Sequence, residues 1–196
     1  MKVAVTSGSA LVIVDVQKDF LPSGALPVPE GDKVVEPLNK YIKLFKEKDL
    51  PIFATRDWHP HNHISFKEYG GLWPPHCIMD TEGAEFADGL RLPNDTVIIS
   101  KAYKVDRDAY SGFQETELDL ELRRRGVKRL FIGGLATDYC VKATVLDALN
   151  LGYQVFLLLD GVKGVDVNPG DSEEAIKEML RNGAVGIVYE DIIEEI

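Results

Sequence analysis

The sequence predicts an α/β fold in which a parallel sheet lies between two layers of helices, a three-layer α/β/α sandwich. Residues 10–16 form a continuous apolar run, which is typical of a strand buried on both faces. Further short apolar segments alternate with amphipathic ones, and this alternation favours parallel strands with helices on both faces of the sheet. A chain of 196 residues suits one core better than two, so we expect residues 1–196 to form a single domain.

The remaining elements follow in a simple order. Short apolar segments predict strands at residues 51–55, 96–100, 127–132, 153–159 and 185–188. Helical spacing of apolar residues predicts helices at residues 32–48 and 115–125. A third helix is expected to start at Thr137 as N-cap and to stop at Gly152. A fourth is expected to open at Asp171, in capping-box spacing with Glu174, and to end at Gly183. Residues 191–196 form an acidic tail.

The composition excludes several classes of partner. The formal net charge of -10 argues against nucleic acid as a ligand. No apolar run approaches membrane-spanning length, and the first residues lack the apolar stretch of a signal peptide, so we expect no membrane association. Two cysteines are too few for a disulfide framework, which favours a reducing, cytoplasmic setting.

Reactive side chains follow four of the predicted strands. Asp15, Asp57, Lys101 and Cys140 each stand at or just past a strand's carboxyl end. Parallel sheets place their sites at that edge, so we expect these side chains to gather there. A carboxylate beside a cysteine can take its proton, and a lysine favours the ionised forms, so three of them suit a nucleophilic triad of Asp15, Lys101 and Cys140. The alternative is a buried Asp–Lys ion pair with a bystander thiol.

Cys140 lies in the first turn of the third helix, after a glycine-bearing turn. The helix N-terminus carries a positive field and unpaired N–H groups, which favour a thiolate, the reactive form of cysteine. The alternative is that Cys140 is a small buried apolar residue, as free cysteines usually are.

Residues 58–94 form a long irregular segment that contains all four histidines of the chain. A loop of this length in a compact domain is usually functional or disordered, and its aromatic content argues against disorder. Asp57, His59 and His76 are the expected ligands of a metal ion, because one carboxylate and two imidazoles suit zinc, iron or manganese. The roles of His61 and His63 stay open.

Apolar residues in the flanking loops predict the walls of a small flat pocket. These are Phe20, Leu26 and Trp73, for which ordinary loop packing is the alternative. Tyr110 and Phe113 are interpreted as exposed loop aromatics that could serve an interface, and the oligomeric state stays open between a monomer and a homo-oligomer.

Together these segments resemble the nicotinamidases of the isochorismatase-like cysteine hydrolase family. The motifs stand in family order over nearly the whole chain: VDVQKDF at 14–20, DWHP at 57–60, WPPHC at 73–77, the lysine at 101, and GLATDYCV at 134–141. The triad motifs are shared across the superfamily, whereas the metal-ligand set points to the nicotinamidases.

The resemblance implies roles for individual residues. Asp15, Lys101 and Cys140 match the triad. Ser65 and His63 match positions that in some members approach the metal directly or through water. The implied metal ligands are Asp57, His59 and His76. The implied pocket aromatics are Phe20 and Trp73. The backbone N–H groups of Ala136 and Cys140 match the donors of the oxyanion hole. The peptide bond between Leu135 and Ala136 is expected to be cis.

The resemblance further implies a six-stranded sheet and the hydrolysis of nicotinamide to nicotinic acid and ammonia through a thioester, with pyrazinamide as a second substrate. It implies one divalent transition metal ion, zinc in first place and iron or manganese as alternatives. One rival is another amidase that uses the same triad on a different small molecule. A second rival is a flavodoxin-like binding module, but residues 15–19 occupy the place of its phosphate-binding glycine turn.

Overall fold

A computed structural model describes residues 2–193 of the chain. Its main sheet has six strands, which are β2 (Ser9–Val14), β3 (Ile52–Asp57), β4 (Val97–Lys101), β5 (Arg129–Leu135), β6 (Gln154–Lys163) and β7 (Val185–Ile187). All six are parallel, and their spatial order is β4-β3-β2-β5-β6-β7. The prediction of a six-stranded parallel sheet is confirmed.

Helices cover both faces of this sheet. They are α1 (Val35–Glu47), α2 (Leu118–Arg124), α3 (Lys142–Asn150) and α4 (Asp171–Arg181). Side chains alternate along a strand, so β2 sends Leu11 and Ile13 into the core cluster that contains α1. Its neighbour Val12 packs into the opposite cluster, which contains residues of α2, α3 and α4. The predicted three-layer arrangement is therefore confirmed.

The short end segments form a second sheet that the sequence did not predict. β1 (Val3–Ala4) pairs in parallel with β8 (Ile192–Ile193). Lys2 donates from Nζ to the carbonyl of Glu190 at 2.8 Å beside this pair. The first residues of the predicted acidic tail thus belong to a turn and a strand, and its last three, 194–196, lie outside the described residues.

The last helix starts at Asp171 as predicted, but two predicted helix caps are wrong. Ala136, and not Thr137, is the N-cap of the cysteine-bearing turn, which is a π-helical turn over Thr137–Val141 that continues into α3. Gly170, in left-handed conformation, is the N-cap of α4, and Asp171 already lies inside the helix. Its carboxylate accepts the N–H of Asn168 at 2.9 Å from the preceding turn, so the predicted capping box does not form.

Other boundaries shift for local reasons. The second helix starts at Leu118 because Glu115 has a φ of 55°, which no right-handed helix contains. β5 and β6 run longer than predicted because their pairing resumes after an irregularity at Ile132/Gly134. Residues 58–94 contain only short 3-10 turns, at Lys67–Tyr69 and Glu82–Ala84, as their lack of period indicated. Among residues 2–193, no helix has the length and apolar content that crossing a membrane requires.

Candidate active site

The four polar side chains at the strand ends meet around the ammonium group of Lys101. Its Nζ lies 2.5 Å from Asp57 Oδ1, 2.9 Å from Asp15 Oδ2 and 3.4 Å from Cys140 Sγ. It also donates to the carbonyl of Ala109 at 3.1 Å. Asp57 and Lys101 are direct neighbours in register on β3 and β4, so sheet pairing itself brings them together. These side chains gather at one edge of the sheet, as the strand-end rule predicted, and all of them are buried.

Burial and ion pairing set the charges of this group. Burial alone would lower the pKa of Lys101, but the carboxylates of Asp15 and Asp57 raise it well above its usual value, so the side chain is an ammonium ion. Burial would raise the pKa of Asp57, yet Lys101 and His59 hold it well below its usual range. For Asp15, burial outweighs Lys101 and raises the pKa. Asp15 is therefore the carboxyl group better able to hold a proton.

The two carboxylate oxygens of Asp15 have different surroundings. Its Oδ1 accepts a hydrogen bond of 2.7 Å from the hydroxyl of Thr55 on β3. Its Oδ2 has the Lys101 ion pair and, among the described residues, no hydrogen-bond partner. Carboxylate oxygens of Asp15 and Asp57 and the Sγ of Cys140 lie within 4.8 Å of one another. The geometry suits proton transfer from the thiol to Asp15.

Burial opposes a thiolate at Cys140, whereas its place near a helix N-terminus favours one. Burial raises the pKa of Cys140 well above its usual value, although Lys101 opposes this, and Asp15 and Asp57 add to the rise. Desolvation and two nearby carboxylates thus act against the effect expected of the helix N-terminus. The site needs a base, and Asp15 occupies its position.

Three donors from the strand end and the long loop converge at one point. His59 Nε2 and His76 Nε2 lie 3.2 Å apart, and Asp57 Oδ2 lies 3.5 Å from the first and 3.9 Å from the second. All three residues are buried and form a group with metal-ligand spacing. Burial lowers the pKa of His76; it would also lower that of His59, but Asp57 raises it.

The hydrogen bonds of the two imidazoles fit a metal ion. The Nδ1 atoms of His59 and His76 lie 2.9 and 2.8 Å from the carbonyls of Ala102 and Pro74, so each Nδ1 carries the ring proton. Each Nε2 then presents a lone pair, and two lone pairs face each other beside a carboxylate oxygen. Backbone acceptors on the second nitrogen are the usual support of metal-bound histidine. The donor set therefore fits a divalent cation.

A second set of donors, Asp15, Asp57 and Cys140, shares Asp57 with the first. Lys101 already holds the centre of that set, with its Nζ within 3.4 Å of an atom of each member. The ammonium ion takes the place that a metal would need, so this set does not fit one.

His63 and Ser65 stand beside the histidine pair. Nδ1 of His63 lies 2.6 Å from Ser65 Oγ, and Nε2 lies 3.0 Å from the carbonyl of Arg107, so both nitrogens are engaged. The His63 ring stacks on His59 with centroids 4.1 Å apart. Ser65 lines the same cavity as His59 and His76, while His61 is exposed. The structure places Ser65 on the wall of the cavity that also contains His59 and His76, and it engages both nitrogens of His63 in other contacts.

One cavity joins the thiol to the metal group. All three predicted wall residues, Phe20, Leu26 and Trp73, line it together with Cys140 and Ala136. The remaining lining residues are Val28, Asp57, His59, Ser65, His76, Asp108, Tyr110, Leu135, Tyr139 and Val165. Its walls are mainly apolar and aromatic, as in most small-molecule sites.

Three aromatic rings meet at this cavity. Tyr139 packs against Trp73 with centroids 5.1 Å apart and against Tyr110 at 5.5 Å, and Trp73 donates from Nε1 to the Tyr110 hydroxyl at 3.1 Å. The interpretation of Tyr110 and Phe113 as exposed is therefore wrong, since both are half-buried, while a role in an interface stays a prediction. Tyr110 is a wall residue, and Phe113 stacks on Tyr153 and packs against the second core cluster.

The turn that carries Cys140 is tied on several sides. The peptide bond between Leu135 and Ala136 is cis, as the resemblance implied. Thr144 accepts the N–H of Gly112 and donates to the carbonyl of Cys140 at 2.7 Å. A Cβ at Gly134 would lie 2.1 Å from the carbonyl oxygen of Val14, so only glycine allows β5 to pass so close to β2 there.

Two polar residues that position the metal group were not singled out from the sequence. The side chain of Gln17 is fully buried and bonds both the N–H and the carbonyl of Asp57, each at 2.8 Å, as well as the carbonyl of Ala84 at 2.9 Å. Asp19 accepts the N–H of Cys77, next to His76, at 2.8 Å. The sequence feature that could have indicated them is their place directly after β2, in the motif that also contains Asp15.

Comparison with known proteins agrees with this geometry. The profile of the Isochorismatase domain family matches residues 9–190. The chain is 40% identical to the nicotinamidase of Escherichia coli, over 89% of this chain and 92% of that protein. It is similar to the pyrazinamidase of Pyrococcus horikoshii solved in complex with zinc, at 55% identity and a TM-score of 0.89, over 93% of this chain and 99% of that one. It also resembles PnC1 of L. infantum in complex with nicotinate, at 33% identity and a TM-score of 0.91 over the full length of both chains.

Proposed function

The chain belongs to the isochorismatase family, and from that membership we propose that it is a nicotinamidase, an amidohydrolase that converts nicotinamide to nicotinic acid and ammonia. The observation that carries the proposal is the shared carboxylate of Asp57. One of its oxygens contacts Lys101 of the triad, and the other faces the two histidines of the metal group. A nucleophile and a metal group therefore lie side by side in one cavity with aromatic walls.

The cavity suits a flat, neutral, aromatic amide. Phe20 and Trp73 offer ring faces or edges to a six-membered ring, and apolar residues such as Leu26 complete the wall. We infer that Asp57, His59 and His76 hold one divalent ion, with zinc in first place. When bound, this ion supplies a coordination position that fixes the pyridine nitrogen of the substrate and hence the ring.

The first half of the reaction uses the triad. Asp15 takes the proton from Cys140 Sγ, and Lys101 stabilises both the carboxylate and the forming thiolate. The thiolate attacks the amide carbon, and the N–H groups of Ala136 and Cys140 hold the oxyanion, where each such donor is typically worth about 3–4 kcal/mol. Asp15 returns the proton to the departing nitrogen, the C–N bond breaks, and ammonia leaves a thioester on Cys140.

In the second half of the reaction, water replaces the thiol as the nucleophile. Asp15, ionised again, takes a proton from water, and the resulting hydroxide attacks the thioester carbon. The C–S bond breaks, the thiolate regains a proton from Asp15, and nicotinic acid is free to leave. The acid loses its proton to solvent, so the neutral amide becomes a carboxylate in the same cavity. We further propose pyrazinamide as a substrate, because one ring nitrogen more changes neither its shape nor its carboxamide.

The setting follows from the product and the thiols. Nicotinic acid feeds pyridine nucleotide (NAD) salvage, and both cysteines are free, which supports a reducing compartment such as the cytoplasm.

The proposal is tested by ammonia release from nicotinamide with and without a chelator. We expect release from the purified protein, loss with the chelator, and recovery when zinc is restored. A panel of nicotinamide, pyrazinamide and N-carbamoyl compounds separates this activity from that of other amidases with the same triad. Release from N-carbamoyl compounds alone would contradict the proposal.

A further inference from the structure

Asp108 is an acidic wall residue that has no part in the triad or the metal group. It lines the cavity together with Asp57, and no lysine or arginine lines it among the described residues. None of the ion pairs within residues 2–193 includes Asp108, since neighbouring Arg107 pairs with Glu115 instead. Asp108 therefore brings to the cavity wall a negative charge that has no ion-pair partner among the described residues.

The backbone around Asp108 is held in place by the site itself. The carbonyl of Arg107 lies 3.0 Å from His63 Nε2, and the carbonyl of Ala109 accepts from Lys101 Nζ at 3.1 Å. Oδ1 of Asp108 accepts the N–H of Ala109 at 2.9 Å. The second oxygen, Oδ2, has no polar partner among the described residues. The carboxylate is thus held at the cavity wall by the N–H of Ala109, and its charge lies close to any ligand in the cavity.

The charge of the cavity matters because the proposed reaction changes the charge of the ligand. A divalent ion and the Lys101 ammonium exceed the carboxylates of Asp15 and Asp57 by one positive charge, even when both carboxylates are ionised. A cavity with that excess would retain the carboxylate product more tightly than the neutral amide. Asp108 supplies the negative charge that cancels the excess.

We propose that Asp108 is a specificity-determining residue that makes the cavity prefer the neutral carboxamide over the carboxylate it becomes. The proposal rests on the nicotinamidase function. Repulsion between Asp108 and the product carboxylate weakens nicotinate binding and leaves nicotinamide binding nearly unchanged. The enzyme thereby avoids inhibition by its own product.

The test compares the variant Asp108→Asn with a matched control, Asp106→Asn. Asparagine keeps the shape of aspartate and can still accept the N–H of Ala109, so the loop keeps its conformation. Asp106 is exposed on the same loop and does not line the cavity. Each change is made in the zinc-loaded Cys140→Ala protein, and the dissociation constants of nicotinate and nicotinamide are measured by calorimetry.

We expect Asp108→Asn to tighten nicotinate binding by about tenfold, because one unit charge in a partly solvated cavity has an effect of that order. Nicotinamide binding should change by less than about twofold, and Asp106→Asn should change neither. The effect on nicotinate should shrink at high salt, since Asp108 is only partly buried. In proteins that retain Cys140, the inhibition constant of nicotinate should fall in parallel for Asp108→Asn.

The outcomes separate the two proposals. A wild-type protein that hydrolyses nicotinamide, with an unchanged ratio of nicotinate to nicotinamide affinity in Asp108→Asn, overturns the role of Asp108 alone. Equal tightening of both ligands also overturns it, because the effect would not depend on ligand charge. A wild-type protein that neither hydrolyses nor binds nicotinamide overturns both proposals.

Discussion

The carboxyl edge of the sheet and the long loop at residues 58–94 contribute to the same cavity in different ways. At the sheet edge, Asp15 and Lys101 follow strands that pair with neighbours, and register determines their distance. In the loop, the imidazoles of His59 and His76 each form one hydrogen bond from Nδ1 to a backbone carbonyl. The loop has no strand or helix longer than a short turn, so it depends on polar contacts, on the buried ring of Phe66 and on small apolar groups such as Ala84 and Ala87 in the core.

The two regions meet at Asp57, and they differ in the chemical task of their side chains. The sheet edge carries the groups that must exchange a proton, which tolerate little error in distance. The loop carries groups that hold a ligand, where a bound ion can help to organise the donors. We therefore expect changes at the sheet edge to affect the rate and changes in the loop to affect the metal. The following predictions test that division, from the largest effect to the smallest.

The strongest test is Cys140→Ala at the sheet edge. Loss of the nucleophile should lower turnover by at least about 10⁴-fold, while nicotinamide binding and metal content persist. The control is Cys77→Ala, since Cys77 is equally buried but belongs to the loop and does not line the cavity. Turnover in the control should stay within about threefold. Ammonia release by Cys140→Ala near the wild-type rate would remove the thiol from the mechanism.

In the loop, His59→Ala should abolish metal binding. Two remaining donors are too few to hold the ion, so metal analysis should fall from about one ion per chain to near zero, and turnover should fall with it. His61→Ala is the control, because His61 is exposed in the same loop. An unchanged metal content in His59→Ala would contradict the assignment of His59 as a ligand and the expectation that changes in the loop affect the metal.

Gln17→Leu tests the junction between the two regions. The change leaves the N–H and carbonyl of Asp57 without their side-chain partner, so metal affinity should fall by about 10–100-fold. The measurement is competition with a chromogenic chelator. Gln154→Leu, on an exposed position of β6, serves as the control and should bind metal normally. Wild-type metal affinity in Gln17→Leu would show that Asp57 is positioned without the hydrogen bonds of Gln17.

The mildest change, Thr55→Val, should move the pH dependence of the rate. The Thr55 hydroxyl lowers the pKa of Asp15, although burial, the largest influence, raises it. Without the hydroxyl the pKa rises further. Asp15 acts in its ionised form, so activity is lost as pH falls through this pKa, and the acid limb of kcat/KM should shift to higher pH. The rate at neutral pH should fall by about 3–10-fold.

Thr96→Val makes the same change at a buried hydroxyl that has no hydrogen-bond partner among the described residues. Its acid limb should match that of the wild type. If Thr55→Val also leaves the limb in place, the titration that limits the rate does not belong to Asp15.

Much of the sheet edge could be predicted from the sequence because its signals are periodic and local. Apolar runs mark the strands, and a parallel sheet sends every strand end to one side, so Asp15, Asp57, Lys101 and Cys140 were expected to meet. Where local signals competed, prediction failed. Ala136 and Gly170 replaced Thr137 and Asp171 as helix caps, and neither site has a side-chain cap.

The loop was predictable only in composition. Clustered histidines indicated a metal group, but no period shows which atoms face one another in an irregular segment. In the segment after β4, Tyr110 was misread as exposed and Asp108 was not noticed, because their places depend on contacts from His63, Lys101 and Trp73 across the cavity.

The sequence by itself determined the order of strands and helices, the residues that end at the active edge, and the family motifs, since each of these depends on residue type and spacing along the chain. The tertiary structure decided the charge states and the contacts. Only folding removes Cys140 from water, brings two carboxylates against it and leaves its thiol in need of Asp15. Such effects depend on burial and on distances between residues far apart in the chain, and a linear sequence contains neither.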